Sequence, residues 1–284
     1  MQATVPEEKL GLILKLGFYI FVAVIGLPVF GFLLSATGYL IAAAGSVFAT
    51  AFTANSLALR VFERMPITAA GLGWRGGSGR NLAIGIVTGI VAATLVTLLP
   101  LALGMAEMKP DPDLPASASG ALFVTVLLLF GAIGEELLFR GYAFQILARG
   151  IGPVPTLIFS AALFGAVHMA NLNATALGIA NTAGFGVVLG YAFLRTGELW
   201  LPIGIHFGWN WMLPVAGVNV SGFRIGMTGY SLDWKVSSFW SGGAYGPEAS
   251  VLTSLIVVAL LVFLRRAPVI ETEAPLLALS RQEA

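Results

Sequence analysis

Eight stretches of this chain are apolar over about the 20 residues a helix needs to cross a bilayer. They fall near 11–34, 37–59, 82–105, 119–147, 153–170, 174–195, 199–216 and 249–264. A segment in lipid must satisfy its own backbone, so only helices or closed barrels can span. Runs of this length specify helices. Only 10% of the 284 residues are charged and the mean hydropathy is +0.90, whereas about a quarter of a soluble domain is charged. The expected fold is therefore all-α: a polytopic membrane protein of about eight transmembrane helices. The first run reads as an anchor rather than a cleaved signal, because further spans follow it. A net charge of +1 offers no basic field for nucleic acid. The absence of cysteine excludes disulfides, thiolate metal ligands and a cysteine nucleophile.

Basic residues orient the chain. With eight spans, Lys9, Lys15, Arg60, Arg64, Arg75, Arg80, Arg149, Arg195, Arg265, Arg266 and Arg281 share one side, and Lys109, Arg224 and Lys235 the other. This bias predicts that both termini are cytoplasmic. Membrane lipid is the expected surrounding, and the Ala- and Gly-rich composition suggests a bacterial inner membrane. The glycine-rich connection 71–80 lacks the Lys-Ser/Thr ending of a phosphate loop and follows no strand, so it reads as a linker. The outer segment 217–248 carries Trp234, Trp240 and Tyr245, expected at the lipid interface. Residues 267–284 read as a loose tail. Three regions result: 1–117 with the first helices and loops, 118–216 with a helical core, and 217–284 with the outer loop, last span and tail.

The core region holds the costly residues. A charge at the centre of a membrane helix costs about 2.5–3.5 kcal/mol on insertion scales. Yet Glu135, Glu136 and Arg140 lie within six positions. Glu136 precedes Arg140 by four, the favourable order for an intrahelical pair. Glu135 is turned about 100° away, free for chemistry. His168 ends the fifth run, with Phe164 one turn earlier to pack on its ring. His206 and Asn210 share one face of the seventh run, a donor pair suited to an oxyanion. A carboxylate, two imidazoles and an amide, with water, form a hydrolytic inventory. Each group also has a structural reading: an ion pair locking helices, a histidine bridging two helices, and polar contacts between spans. Asn181 and Thr182 read as such contacts. No serine stands out as a nucleophile, and no His-Glu-x-x-His helix is present. A proton-coupled transporter and a non-catalytic scaffold are the alternatives; the former is expected to show repeats and broken helices.

Three motifs carry a resemblance: Glu135-Glu136-x-x-x-Arg140, Phe164-x-x-x-His168 and His206-x-x-x-Asn210. In this order they resemble the CAAX protease and bacteriocin-processing family, also called the type II CAAX prenyl endopeptidase or abortive-infection family, over roughly residues 118–216. The resemblance implies an intramembrane glutamate-dependent endopeptidase. Glu135 and His168 would activate water, His206 and Asn210 would form the oxyanion hole, and Glu136, Arg140 and Phe164 would support them. Two histidines and a glutamate could hold zinc, but the His/Asn pair would then need another task, so no cofactor is expected. The implied substrate is a membrane-associated or secreted peptide or protein, with or without a lipid.

Overall fold

The computed structural model describes residues 5–282; the outermost residues of both termini, expected on the cytoplasmic side, lie outside the described residues. The helices are α1 (Val5–Leu34), α2 (Tyr39–Ala58), α3 (Ser78–Ala102), α4 (Ala118–Arg140), α5 (Tyr142–Ile151), α6 (Pro153–Val167), α7 (Ala176–Thr196), α8 (Trp200–Val215), α9 (Ser238–Ser241), α10 (Val251–Leu264) and α11 (Pro275–Gln282). Among the described residues, six helical stretches are long and apolar enough to cross a membrane. The other two expected spans are shorter: α8 has 16 residues and α10 has 14. Residues 201–206 of α8 are buried. It is an internal helix wrapped by its neighbours, apolar except on the face that carries His206 and Asn210.

One departure from an all-helical chain is a two-stranded antiparallel pair, β1 (Ala106–Pro110) with β2 (Tyr230–Trp234), in register Ala106↔Trp234, hairpin-like in shape although α4 to α8 lie between its strands in sequence. It joins the loop after α3 to the segment between α8 and α10. The Tyr39 and Phe223 rings meet at 5.9 Å between centroids, and the Gly222 backbone lies against Leu172. These contacts gather 35–38, 103–117, 168–175 and 216–250 at one end of the molecule, the hairpin end.

The opposite end is closed by other long-range bonds. Leu199 N donates to Gly71 O at 2.8 Å, and Asn81 bonds both Glu198 and the Ile270 backbone. The stretch expected as a loose tail packs here: Leu276 is fully buried, and its N–H donates to Gln145 Oε1 at 3.0 Å. Leu276 joins a buried apolar cluster that includes Tyr142 and Phe144 of α5, a long-range effect that local composition does not encode. Tyr245 is also not at a lipid interface. It is 1% exposed, its ring against the backbone of α7 at Gly178.

Two packing devices set up the interior. Helices α3 and α8 cross with Gly85 and Gly89 facing Gly204 and Gly208. A Cβ on Gly208 would lie 2.4 Å from Ile86 O, and one on Gly85 2.5 Å from Leu201 O. Small residues four apart allow this backbone contact and fix the rotation of α8. The second device is the break after Arg140, where the apolar run 118–151 turns into α5. Asn55 of α2 serves the freed backbone groups: it donates to Leu137 O at 3.0 Å and accepts Tyr142 N–H at 2.7 Å. Tyr19 Oη donates to Leu138 O at 2.8 Å. A broken helix in a membrane protein persists where neighbours satisfy it in this way.

Candidate active site

The break, held by α1 and α2, fixes the last two turns of α4, and these carry Glu135, Glu136 and Arg140. Arg140 is fully buried. Its Nη1 donates to Glu136 Oε1 at 3.1 Å, its Nη2 to Gly186 O of α7 at 3.3 Å, and its guanidinium lies 4.5 Å from the Phe164 ring centroid of α6. One side chain thus ties α4 to α6 and α7. The expected Glu136–Arg140 pair is present. Glu136 does more than the spacing showed, since the same Oε1 lies 2.8 Å from His206 Nδ1 of α8.

Phe164 is 3% exposed and packs on His168, with centroids 4.6 Å apart; the His206 ring is 6.2 Å away. His168 Nδ1 is 2.7 Å from Phe164 O. A carbonyl only accepts, so the neutral ring carries its proton on Nδ1 and keeps its Nε2 lone pair free. That Nε2 is 3.8 Å from Glu135 Oε2, and His206 Nε2 is also 3.8 Å from the same oxygen. Glu135 Oε2 is buried with no hydrogen-bond partner among the described residues. A distance of 3.8 Å is too long for a direct bond but leaves room for a water touching both groups.

The three groups open on a cavity of about 40 Å³ lined by Glu135, Phe164, His168, His206 and Asn210, with Thr182, Phe185, Leu189, Trp209, Ser221 and Glu248 completing the wall. A water needs roughly 10–15 Å³ on this measure, so the space holds a few. Glu135, His168, His206 and Asn210, drawn from α4, α8 and the end of α6, therefore face one space. Glu136 and Arg140 lie behind them, and Phe164 shares the wall. Among the described residues, no group of three His, Cys, Asp or Glu side chains is arranged to hold a metal ion.

Sequence reasoning missed the far wall. Glu248 sits in the turn Pro247–Ala249, outside the six long spans. It accepts from Trp209 Nε1 at 3.3 Å, from Ser221 Oγ at 3.3 Å and from Ser221 N. Burial pushes its carboxyl up, while the Ser221 and Trp209 donors pull the other way. The one local signal was a carboxylate directly before the last apolar run; nothing near it in sequence pointed to α8. Asn181, read as a contact between helices, does donate to Glu248 O and Ser250 O at 2.8 and 2.9 Å. Thr182, read in the same way, also reaches the cavity.

Apolar helices closing around carboxylates, imidazoles and a water-sized space define an integral membrane protein with a polar site inside its helical core. Residues 117–212 match the family described as Type II CAAX prenyl endopeptidase Rce1-like. Over this segment the chain is similar to a family of membrane endopeptidases. No curated protein matches the chain.

Proposed function

We propose that the protein is an intramembrane glutamate-dependent endopeptidase that hydrolyses peptide bonds of membrane-associated or secreted peptides by a metal-free mechanism. One observation carries this reading: Glu135 Oε2, without a partner among the described residues, stands 3.8 Å from the Nε2 atoms of both histidines. A water between Glu135 and the free Nε2 of His168 gives up a proton to Glu135 as its oxygen attacks the scissile carbonyl. The carbonyl oxygen becomes an oxyanion facing His206 and the Asn210 amide. As the tetrahedral intermediate collapses, the C–N bond breaks and the departing amine takes the proton from Glu135.

The oxyanion role sets the charge state of His206. Its Nδ1 already meets Glu136, so an Nε2–H donor requires a doubly protonated ring. With Glu135, Glu136, Arg140 and His206 charged, the four sum to zero. This gives the second glutamate a purpose: it balances Arg140 and holds His206 as a cationic donor. Donors of this kind lower the barrier most where water is excluded.

Both termini are cytoplasmic in this reading, and a bacterial inner membrane is the proposed location. The test compares membrane and secreted peptides of wild-type cells with those of a strain carrying Glu135→Ala. Precursors that accumulate in the mutant, with matching products lost, support the reading. Identical peptide profiles in the two strains, with both proteins present in the membrane, count against it.

A further inference from the structure

The side from which a peptide reaches the cavity follows from what lies above and below it. Beneath it, toward the end closed by α11, the layer is continuous. Glu136, Leu137, Arg140, Tyr142 and Gln145 are all fully buried, and Phe139 packs edge-on to Phe164 at 5.1 Å. Leu276 and the Leu199–Gly71 bond seal the next layer. No residue of the loops at that end lines the cavity.

On the other side the cavity reaches the hairpin end. His168 follows the last residue of α6, and Asn210 is one turn and a half from the end of α8. Two further lining residues, Ser221 and Glu248, come from the hairpin-end segment 216–250. That segment forms the wall on this side, joined to α8 by the bond from Trp209 to Glu248 and braced within itself by the bond from Ser221 to Glu248.

The charges then say which face this is. The hairpin end holds three bases, Lys109, Arg224 and Lys235, against five carboxylates, Glu107, Asp111, Asp113, Asp233 and Glu248. Each base is ion-paired, Lys109 and Lys235 to Glu107 at 2.6 and 2.7 Å, and Arg224 to Asp111. The opposite end exposes Arg60, Arg64, Arg75, Arg80, Arg265 and Arg266. Basic residues are retained on the cytoplasmic side, so the hairpin end faces away from the cytoplasm.

We infer that the site is served from the extracytoplasmic face, and that its substrates are exported peptides or the outward-facing segments of membrane proteins rather than tails presented in the cytosol. The inference rests on the proteolytic reading for the word substrate, but access to the cavity can be tested without it. The chain has no cysteine, so single cysteines report cleanly. Ser221→Cys marks the cavity wall and Ser237→Cys the exposed hairpin end. Gly76→Cys marks the opposite end, where a side chain meets nothing.

Full-length variants are treated with the small, charged thiol reagent 2-sulfonatoethyl methanethiosulfonate in right-side-out and in inverted vesicles. The expected result is modification of Ser221→Cys and Ser237→Cys in right-side-out vesicles only, and of Gly76→Cys in inverted vesicles only. The inference is overturned if Ser221→Cys follows Gly76→Cys, if Ser237→Cys and Gly76→Cys exchange sides, or if Ser221→Cys reacts from neither side while Ser237→Cys reacts. A membrane-impermeant fluorogenic peptide separates the two claims. No cleavage by the detergent-solubilised protein would sink the proteolytic reading and leave the labelling result standing. Cleavage in detergent and in inverted vesicles alone would sink the access claim.

Discussion

Glu135 Oε2 lies equally far, 3.8 Å, from the Nε2 of His168 and from the Nε2 of His206. The two rings are held differently: His168 by a backbone carbonyl of its own helix, His206 by the Glu136 carboxylate. In the proposed mechanism the first ring offers a free lone pair and the second donates an N–H. One carboxylate therefore stands between a proton acceptor and a proton donor, the polarity that hydrolysis of an amide needs.

The two glutamates are expected to fail in different ways. Glu135→Gln leaves the thermal midpoint close to wild type and removes cleavage. Glu136→Gln strips the partner from buried Arg140 and loosens His206. Breaking a buried pair costs about 3–5 kcal/mol, so both midpoint and activity fall. Thermal denaturation in detergent beside a peptide assay reads the difference. Full activity in Glu135→Gln with none in a folded Glu136→Gln would reverse the assigned roles.

Glycine packing is predicted to matter for rate at a distance. A Cβ at Gly208 would sit 2.4 Å from Ile86 O, so Gly208→Ala must push α8 away from α3 and carry His206 and Asn210 with it. Misplacing reacting groups by about 1 Å can lower rates about 100-fold. Turnover in Gly208→Ala is expected to drop while the protein remains folded by circular dichroism. Unchanged turnover would show that α8 has slack at this crossing.

Glu248→Gln keeps one acceptor oxygen for Trp209 and the Ser221 hydroxyl, but it removes the charge and turns an NH2 toward the Ser221 N–H. The segment 216–250 is then expected to be held less firmly against α8, raising KM more than it lowers kcat. A loss confined to kcat would instead place Glu248 among the groups that act on the reacting atoms.

The hairpin has its own pH signature. The hydrogen bonds from Lys109 and Lys235 hold the Glu107 carboxyl down at about 2. A depressed carboxylate adds stability above its ordinary value of about 4.5, and this is lost as pH falls toward 2. The protection factors of the β1 and β2 amides, exchange rates corrected for their intrinsic pH dependence, are expected to fall across that range in the wild type. In Glu107→Gln, exchange should already be fast at pH 6. Equal exchange in the two proteins at pH 6 would contradict this account of the hairpin.

What the sequence made legible was local. Long apolar runs mark the helices, and a spacing of four marks Glu136 with Arg140 and Phe164 with His168. The longest-range facts were not legible. The contact of Glu136 with His206 spans 70 positions, and that of Glu248 with Trp209 crosses from a loop to a buried helix. Periodicity says which residues share a face but not which face of another helix they meet. The burial of Tyr245 and Leu276 was hidden for the same reason, since their pockets are built from distant elements.

The metal-free mechanism predicts that cleavage by the purified protein survives a strong chelator. Loss on chelation that is restored by zinc would require a metal at the Glu135–His168–His206 cluster.

The most direct measurement is peptide-bond hydrolysis by purified wild-type protein and folded Glu135→Gln, using a peptide library read by mass spectrometry. General acid–base groups contribute about 100- to 10,000-fold. The account predicts cleavage by the wild type and a loss of at least about 100-fold in Glu135→Gln. Cleavage at the wild-type rate in Glu135→Gln would contradict it.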